Sequence, residues 1–315
     1  MRRYSILMSL CIAAVFFAGS GAHAGQIRLG YFCANFNDIF QIYLVDAAKA
    51  RAAQLPNVAL EVMDAQEDVI RQQDQVLTMI ETGVDALIVC PVDSATGVAR
   101  IEQAAREANL PLIYVNRTPY PNGNLPDNVY YIGASSIIEG RNQMEYLGKK
   151  MGGKGNIVIL MGALFHEGAV NRTQGNKDVI AEKYPDIKIL AEEVAMWQQD
   201  QGMTVTENLL TAYGDKINAI VGNNDNMVLG AINALEAIGR DDVLTIGIDA
   251  TADALQAILA GRMTATVQQD PEPQGGGSVD MALKVLAGEK VNQHNTLPAP
   301  IIDINNARSL LNKHQ

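Results

Sequence analysis

The sequence predicts an α/β fold of two doubly wound, parallel-sheet lobes, and three observations carry that prediction. Strands beginning near residues 27, 58, 85 and 111 alternate with amphipathic helices, a βα repeat of roughly 30 residues that implies right-handed crossovers and a parallel sheet. A turn-rich, aperiodic stretch, YPNGNLP over 120–126, interrupts this series, and a second strand–helix series follows it. A chain of 315 residues with 48% hydrophobic but only 5% aromatic content suits two such lobes rich in Ala, Val, Ile and Leu.

In the first series, Ile27 to Cys33 is an apolar strand, and Phe40, Tyr43, Leu44, Ala47 and Ala48 then recur at helical spacing until Pro56. Val58 to Met63 is the second strand. A helix carrying Val69, Ile70, Val76, Leu77 and Ile80 stops at Gly83. Asp85 to Cys90 is apolar enough to be buried on both faces, and a helix with Val98, Ile101 and Ala105 leads to the strand Leu112 to Val115.

In the second series, a helix from Ser136 to Met151 precedes strands at Ile157 to Met161, Lys188 to Val194, Ala219 to Gly222 and Leu244 to Ile248. The intervening helices are expected near Thr173 to Lys183, Met203 to Tyr213 and Met227 to Ile238. The stretch from Thr245 to Gln274 repeats the pattern in miniature: a strand ending on Asp249, a helix capped by Thr251 and stopped by Gly261, and a strand from Met263 to Gln268 ending on Gln269. Gly152 to Gly155 and Gly275 to Gly277 lack phosphate-loop spacing and read as turns or helix entries.

Residues 1–24 have the order of a cleaved secretory signal: Met-Arg-Arg, an apolar run from Ile6 to Ala18, then Ala22-His23-Ala24. The formal net charge is −11, and losing Arg2 and Arg3 with the signal makes it more negative, which argues against nucleic acid or anionic lipid as a partner. Cys33 and Cys90 are too few for a disulfide scaffold. Each ends a strand and a bridge is open to them, although adjacent parallel strands rarely give good disulfide geometry. No Cys/His spacing resembles a zinc site and no cofactor motif occurs. Of the four histidines, His23, His166, His294 and His314, only His166, beside Glu167, falls near a strand end that matters, and that pair reads as a loop contact with no nucleophile or metal partner.

Residues just after the strands are unusually polar: Asn35, Phe36, Asn37 and Asp38; Asp93; Asn116 and Arg117; Asn171 and Arg172; Trp197; Asn223, Asn224 and Asp225; Asp249; Gln269. In open α/β sheets ligands bind beyond the carboxyl ends of the strands. Carboxylates accept hydroxyl hydrogen bonds, amides donate and accept, and guanidinium groups donate in a fixed fork, so the set suits a neutral ligand covered in hydroxyls. Phe36, Phe40 or Trp197 would cover the apolar face of its ring. Taken singly, each Asp or Asn is an ordinary helix cap; their occurrence together in both series points to a site.

These residues carry a resemblance. The segments IRLGYFCANFNDIF, GVDALIVCPVDS, PLIYVNR, AVNRTQG, GNNDNMVLGA, IGIDATADAL and TATVQQDPEPQG together resemble the periplasmic sugar-binding proteins of the ribose/galactose type, the secreted receptors of ABC importers, over essentially the whole mature length. The resemblance implies a type I periplasmic binding protein: two lobes joined by a three-strand hinge, with crossings near Arg117, Gln269 and Leu297. The lobes would then comprise 25–117 plus 270–298 and 118–269 plus 299–315. It implies that Asp93, Arg172, Asn224, Asp249 and Gln269 contact ligand hydroxyls, that Phe40 and Trp197 sandwich the ring, and that Arg117 lies at the hinge edge. One departure stands in the first loop, where Asn37-Asp38-Ile39-Phe40 replaces the usual Asn-Pro-Phe-Phe, leaving Phe36 as the substitute aromatic.

The function so implied is reversible binding without chemistry by a monomeric periplasmic receptor that needs no cofactor and delivers its ligand to an ABC permease. The segment Tyr114 to Pro119 with Asp249 to Asp253 is most similar to receptors for myo-inositol and related cyclitols. Pentoses, hexoses and quorum-type or rhizopine-like signals are the other ligand classes. An exported α/β enzyme acting on a small polyol is the alternative, whereas a repressor of the same fold would need an N-terminal helix-turn-helix where the signal stands.

Overall fold

The computed structural model describes residues 25–313; the signal expected over residues 1–24 and His314 lie outside them. The described residues form two six-stranded sheets. The first contains β1 (Ile27–Cys33), β2 (Val58–Asp64), β3 (Ala86–Val89), β4 (Leu112–Val115), β5 (Val129–Ala134) and β11 (His294–Leu297), in the order β11-β5-β4-β3-β1-β2. All its pairings are parallel. The second contains β6 (Lys154–Met161), β7 (Asp186–Val194), β8 (Ala219–Gly222), β9 (Leu244–Asp249), β10 (Ala265–Gln268) and β12 (Ile301–Ile302), in the order β12-β10-β9-β8-β6-β7. Only β12 runs antiparallel there, along the edge of β10.

Helices cover both faces of each sheet, which is why central strands such as Ala86-Leu87-Ile88-Val89 are apolar without alternation. On the first sheet, Leu29, Tyr31, Ile88 and Ile113 pack on one side with α1 (Ile39–Ala53) and α9 (Gly277–Leu286), while Phe32, Leu87, Val89 and Tyr114 pack on the other with α2 (Val69–Thr82) and α3 (Ala99–Glu107). The second sheet is covered in the same way by α4 (Ser136–Lys150) and α5 (Glu167–Lys183) on one side and by α6 (Gln199–Tyr213), α7 (Asp225–Ala237) and α8 (Ala252–Leu259) on the other. Local signals define the helix ends. Asp38 accepts from Phe40 N at the start of α1, Thr251 accepts from Ala254 N at the start of α8, and Gly83, at φ 85°, ends α2.

Three expectations are corrected. The strand β5 pairs with β4 from Leu112/Val129 to Val115/Ile132, so the chain first crosses between the sheets after Ala134, not at Arg117, and residues 118–134 belong with the first sheet. The later crossings follow Gln268 and Leu297. The helix α5 starts at Glu167 rather than Thr173, and α6 at Gln199 rather than Met203, because their first turns are too polar to show helical periodicity. The expected helix entry at Gly275 is present, as a π-helical turn over Glu272–Gly276 leading into α9. Close packing of α4 on α5 needs glycine at the crossing: a Cβ on Gly140 would lie 2.0 Å from the Arg172 carbonyl oxygen.

Candidate ligand-binding site

Between the two sets of strand ends lies a cavity with about 390 Å³ of non-atom space, part of it open to solvent. It is lined from the first lobe by Asp38, Phe40, Asn116 and Arg117, and from the second by Ser136, His166, Glu167, Gly168, Arg172, Trp197, Asn224, Asp249 and Gln269. The ends of eight strands, β1 and β4 to β10, therefore converge there. Three of these residues hold left-handed backbone, Asn116 (φ 66°), Trp197 (φ 66°) and Asp249 (φ 126°). For non-glycine residues such strain is typically concentrated at ligand clamps.

Each polar group is held by partners that fix its direction. The Asp38 carboxylate caps α1 and lies 3.6 Å from Arg117 Nη2. From α5, Arg172 Nε donates to Glu139 Oε2 at 2.8 Å and Nη1 to the Asn223 carbonyl at 2.7 Å, while its guanidinium sits 5.8 Å from the centre of the Trp197 ring system. The Asn224 side chain caps α7 and donates to the Trp197 carbonyl. A chain of amides spans the crossing strands: Gln41 donates to Asn116, Asn116 Nδ2 donates to Gln269 Oε1 at 2.9 Å, and Gln269 Nε2 donates to Asp249 Oδ1 at 2.8 Å. The Trp197 indole fits because residue 162 is glycine; a Cβ there would lie 2.1 Å from the ring.

A model of the periplasmic binding protein domain matches residues 29–290. The chain belongs to the periplasmic binding protein family. Among relatives of this binding protein, a Rhizobium meliloti protein provisionally named as rhizopine-binding is 40% identical, over 92% of this chain and 94% of that one. A xylitol-binding protein of Mycolicibacterium smegmatis is 36% identical over 81% of this chain and 71% of its own length. An ABC transporter solute-binding protein of Bacillus halodurans, solved with bound myo-inositol, superposes with a TM-score of 0.85 at 36% identity, covering 93% of this chain and 99% of that one. The family consists of binding proteins, which removes the exported-enzyme alternative.

Of the residues singled out from the sequence, Asp38, Phe40, Arg117, Arg172, Trp197, Asn224, Asp249 and Gln269 line the cavity of this binding protein. Phe36, Asn37 and Asp93 do not. Phe36 is 38% exposed, on a turn held by Asp64, and Asn37 is exposed with its N–H donating to its neighbour Asn35. The Asp93 carboxylate turns back onto Ala95 N, Thr96 N and Thr96 Oγ1. Asn116, one of the polar strand-end residues, also lines the cavity; conversely, Ser136, His166, Glu167 and Gly168 line it without having been assigned to it, and His166 and Glu167, expected as a loop contact, form the entry of α5. Cys33 and Cys90 are buried free thiols.

Burial dominates the electrostatics. It raises Asp249 well above the ordinary carboxylate range, with Arg172 opposing and Asp225 and Asp38 reinforcing. It also raises Asp225, whose oxygens accept from Thr266 Oγ1 and Thr251 N. Asp38 and Glu167 are raised by the same cause, opposed by Arg117 and by Asn171 respectively.

Proposed function

We propose that this periplasmic binding protein is the solute receptor of an ABC importer for a cyclitol or monosaccharide, with myo-inositol the first candidate, held in the cavity between the lobes. The observation that carries this reading is one cavity lined by two aromatic side chains, Phe40 and Trp197, together with the carboxylates, amides and guanidinium groups above. Rings that are apolar on their faces and hydroxylated at their rims match such a lining. Asp38, Phe40, Arg117, Arg172, Trp197, Asn224, Asp249 and Gln269 would make the contacts, with Asn116 placing Gln269.

The myo-inositol-bound relative favours the cyclitol, while the xylitol-binding relative keeps an open-chain polyol as the second reading. In this account residues 1–24 direct export and are removed, the receptor works as a monomer, and hinge motion of the lobes presents a shape that the permease recognises. A thermal-shift panel of cyclitols, pentoses, hexoses and pentitols tests the reading: a ligand at 100 times its dissociation constant stabilises by about 2.7 kcal/mol. A panel in which myo-inositol has no effect and xylitol does would replace the first reading with the second.

A further inference from the structure

His166 is the N-cap residue of α5 and is 1% exposed. Its two ring nitrogens face opposite lobes. On the side of its own lobe, Trp197 Nε1 donates to Nδ1 at 2.7 Å, with the rings inclined by only 18°. On the other side, Nε2 lies 3.3 Å from Glu67 Oε2 and 3.0 Å from Arg117 Nη1.

An indole N–H can only donate, and a neutral imidazole has a single acceptor nitrogen. Arg117 Nη1 is also donor-only, but the Trp197 contact is the shorter and Glu67 Oε2 beside Nε2 can only accept, so Nδ1 is the acceptor and the ring hydrogen is on Nε2. That hydrogen has a place to go: Glu67 Oε2 is buried with no other hydrogen-bond partner among the described residues. Arg117 Nη1 meanwhile has the Pro91 carbonyl at 3.3 Å and Glu67 Oε1 at 3.8 Å. Beside the ring, the Glu167 N–H donates to Ser94 Oγ of the first lobe at 3.0 Å, so the two lobes touch at this corner.

We propose that His166 is a positioning residue that makes the orientation of the Trp197 indole depend on contact between the lobes. When the lobes part, Glu67 and Arg117 leave the ring and Nε2 meets water. The ring then accepts a second proton in its ordinary range, about 6.5. Doubly protonated, it donates from both nitrogens and loses its bond from Trp197. Lobe contact, release of that proton and fixing of the indole thus occur together. The inference rests on the proposed function in that the lobes part and close around a ligand whose cavity Trp197 bounds.

The groups facing His166 agree with this. Burial, then Arg117, pull its pKa down to about 4, against Glu67 and the Val92 backbone carbonyl. Asp93 also faces it, Asp38 lies beyond Arg117, and Phe165 packs edge-on. A ring that titrates near 6.5 when exposed and near 4 in contact imposes a sign: ligand affinity is full above about pH 6.5 and falls up to tenfold per unit below it.

Two measurements on the mature protein test the proposal. In the first, Trp197 emission is titrated with acid without ligand and with saturating myo-inositol. The expected midpoint is near 6.5 without ligand and shifts lower with it, and the transition disappears in His166→Gln, whose amide can still accept from the indole. By calorimetry, wild-type affinity for myo-inositol is expected to be about thirtyfold weaker at about pH 5 than at about pH 7.5, against a few-fold for His166→Gln. The same pH dependence in both proteins would overturn the proposal. The second measurement needs no variant: nitrogen-15 spectra of the histidine rings at neutral pH should show His166 carrying its hydrogen on Nε2, and a hydrogen on Nδ1 would overturn the proposal. If myo-inositol fails to bind at either pH, the cyclitol reading falls, while the ligand-free emission titration and the ring tautomer still decide the role of His166.

Discussion

Arg172 on α5 and Glu139 on α4 form an ion pair at 2.8 Å, with side chains 8% and 1% exposed. The pair lies where glycines let the two helices approach most closely, so the guanidinium that reaches the cavity is anchored from behind. Removing one partner of a buried pair strands the other charge and costs about 3–5 kcal/mol. Glu139→Ala should therefore lower unfolding free energy by about that amount, measured by urea denaturation, and weaken binding as well because Arg172 loses its anchor. A loss near zero would mean that water reaches the pair.

The variants Arg172→Ala and Gln269→Ala test the cavity more directly. Each leaves a ligand hydroxyl unpaired in a desolvated site, at about 1.5–3 kcal/mol for the charged group and about 1 for the amide. Calorimetry should read these as about a tenfold to more than hundredfold loss for Arg172→Ala and about fivefold for Gln269→Ala. Full affinity in both would place the ligand elsewhere.

A pH effect of opposite origin is expected at Asp249. Its pKa is raised in the folded protein, so its contribution to stability is complete below the ordinary carboxylate pKa and is lost as pH rises through the raised value. Asp249→Asn removes that penalty. At neutral pH the ligand-free variant should melt higher than wild type, and the gap should close below about pH 4. Its affinity should fall at the same time, so the residue is one whose cost to folding is retained for binding.

Trp197 is the only tryptophan in the chain, which makes its emission a direct reporter. Ligand should change that emission saturably and reduce acrylamide quenching, and Trp197→Ala should weaken binding by about 1–3 kcal/mol. Gly162→Ala should reproduce part of that loss without touching the indole itself, because the added methyl group must displace the ring. Saturated calorimetric binding with unchanged emission and quenching would remove Trp197 from the site.

How far these features were legible depended on the range of the interaction that decides them. Asp249, Gln269 and Asn224 could be placed because each follows a clearly apolar strand, and the end of a parallel strand points toward the cleft. Asp93 satisfies the same rule and fails it, because a hydroxyl three residues on captures its carboxylate. Phe36 is likewise turned away by the local bend that places Asp38 at the start of α1. The strand β5 was missed because VYYIGA follows a long turn and comes directly before the polar start of α4. For His166 no sequence signal existed: Glu67 and Trp197 are distant in the chain, and the first turn of α5, EGAVNR, shows no apolar period.

The strand order also bears on the biogenesis of the protein. The last strands of the chain, β11 and β12, occupy one edge of each sheet, and α9 on the first lobe is likewise made after the second lobe's β10. A nascent chain that has reached residue 290 therefore holds two sheets that each lack a strand. Neither lobe can finish folding behind the ribosome while the other waits, as independent domains commonly do. The three crossings between the lobes thus also postpone completion of both sheets until β11 and β12 are made.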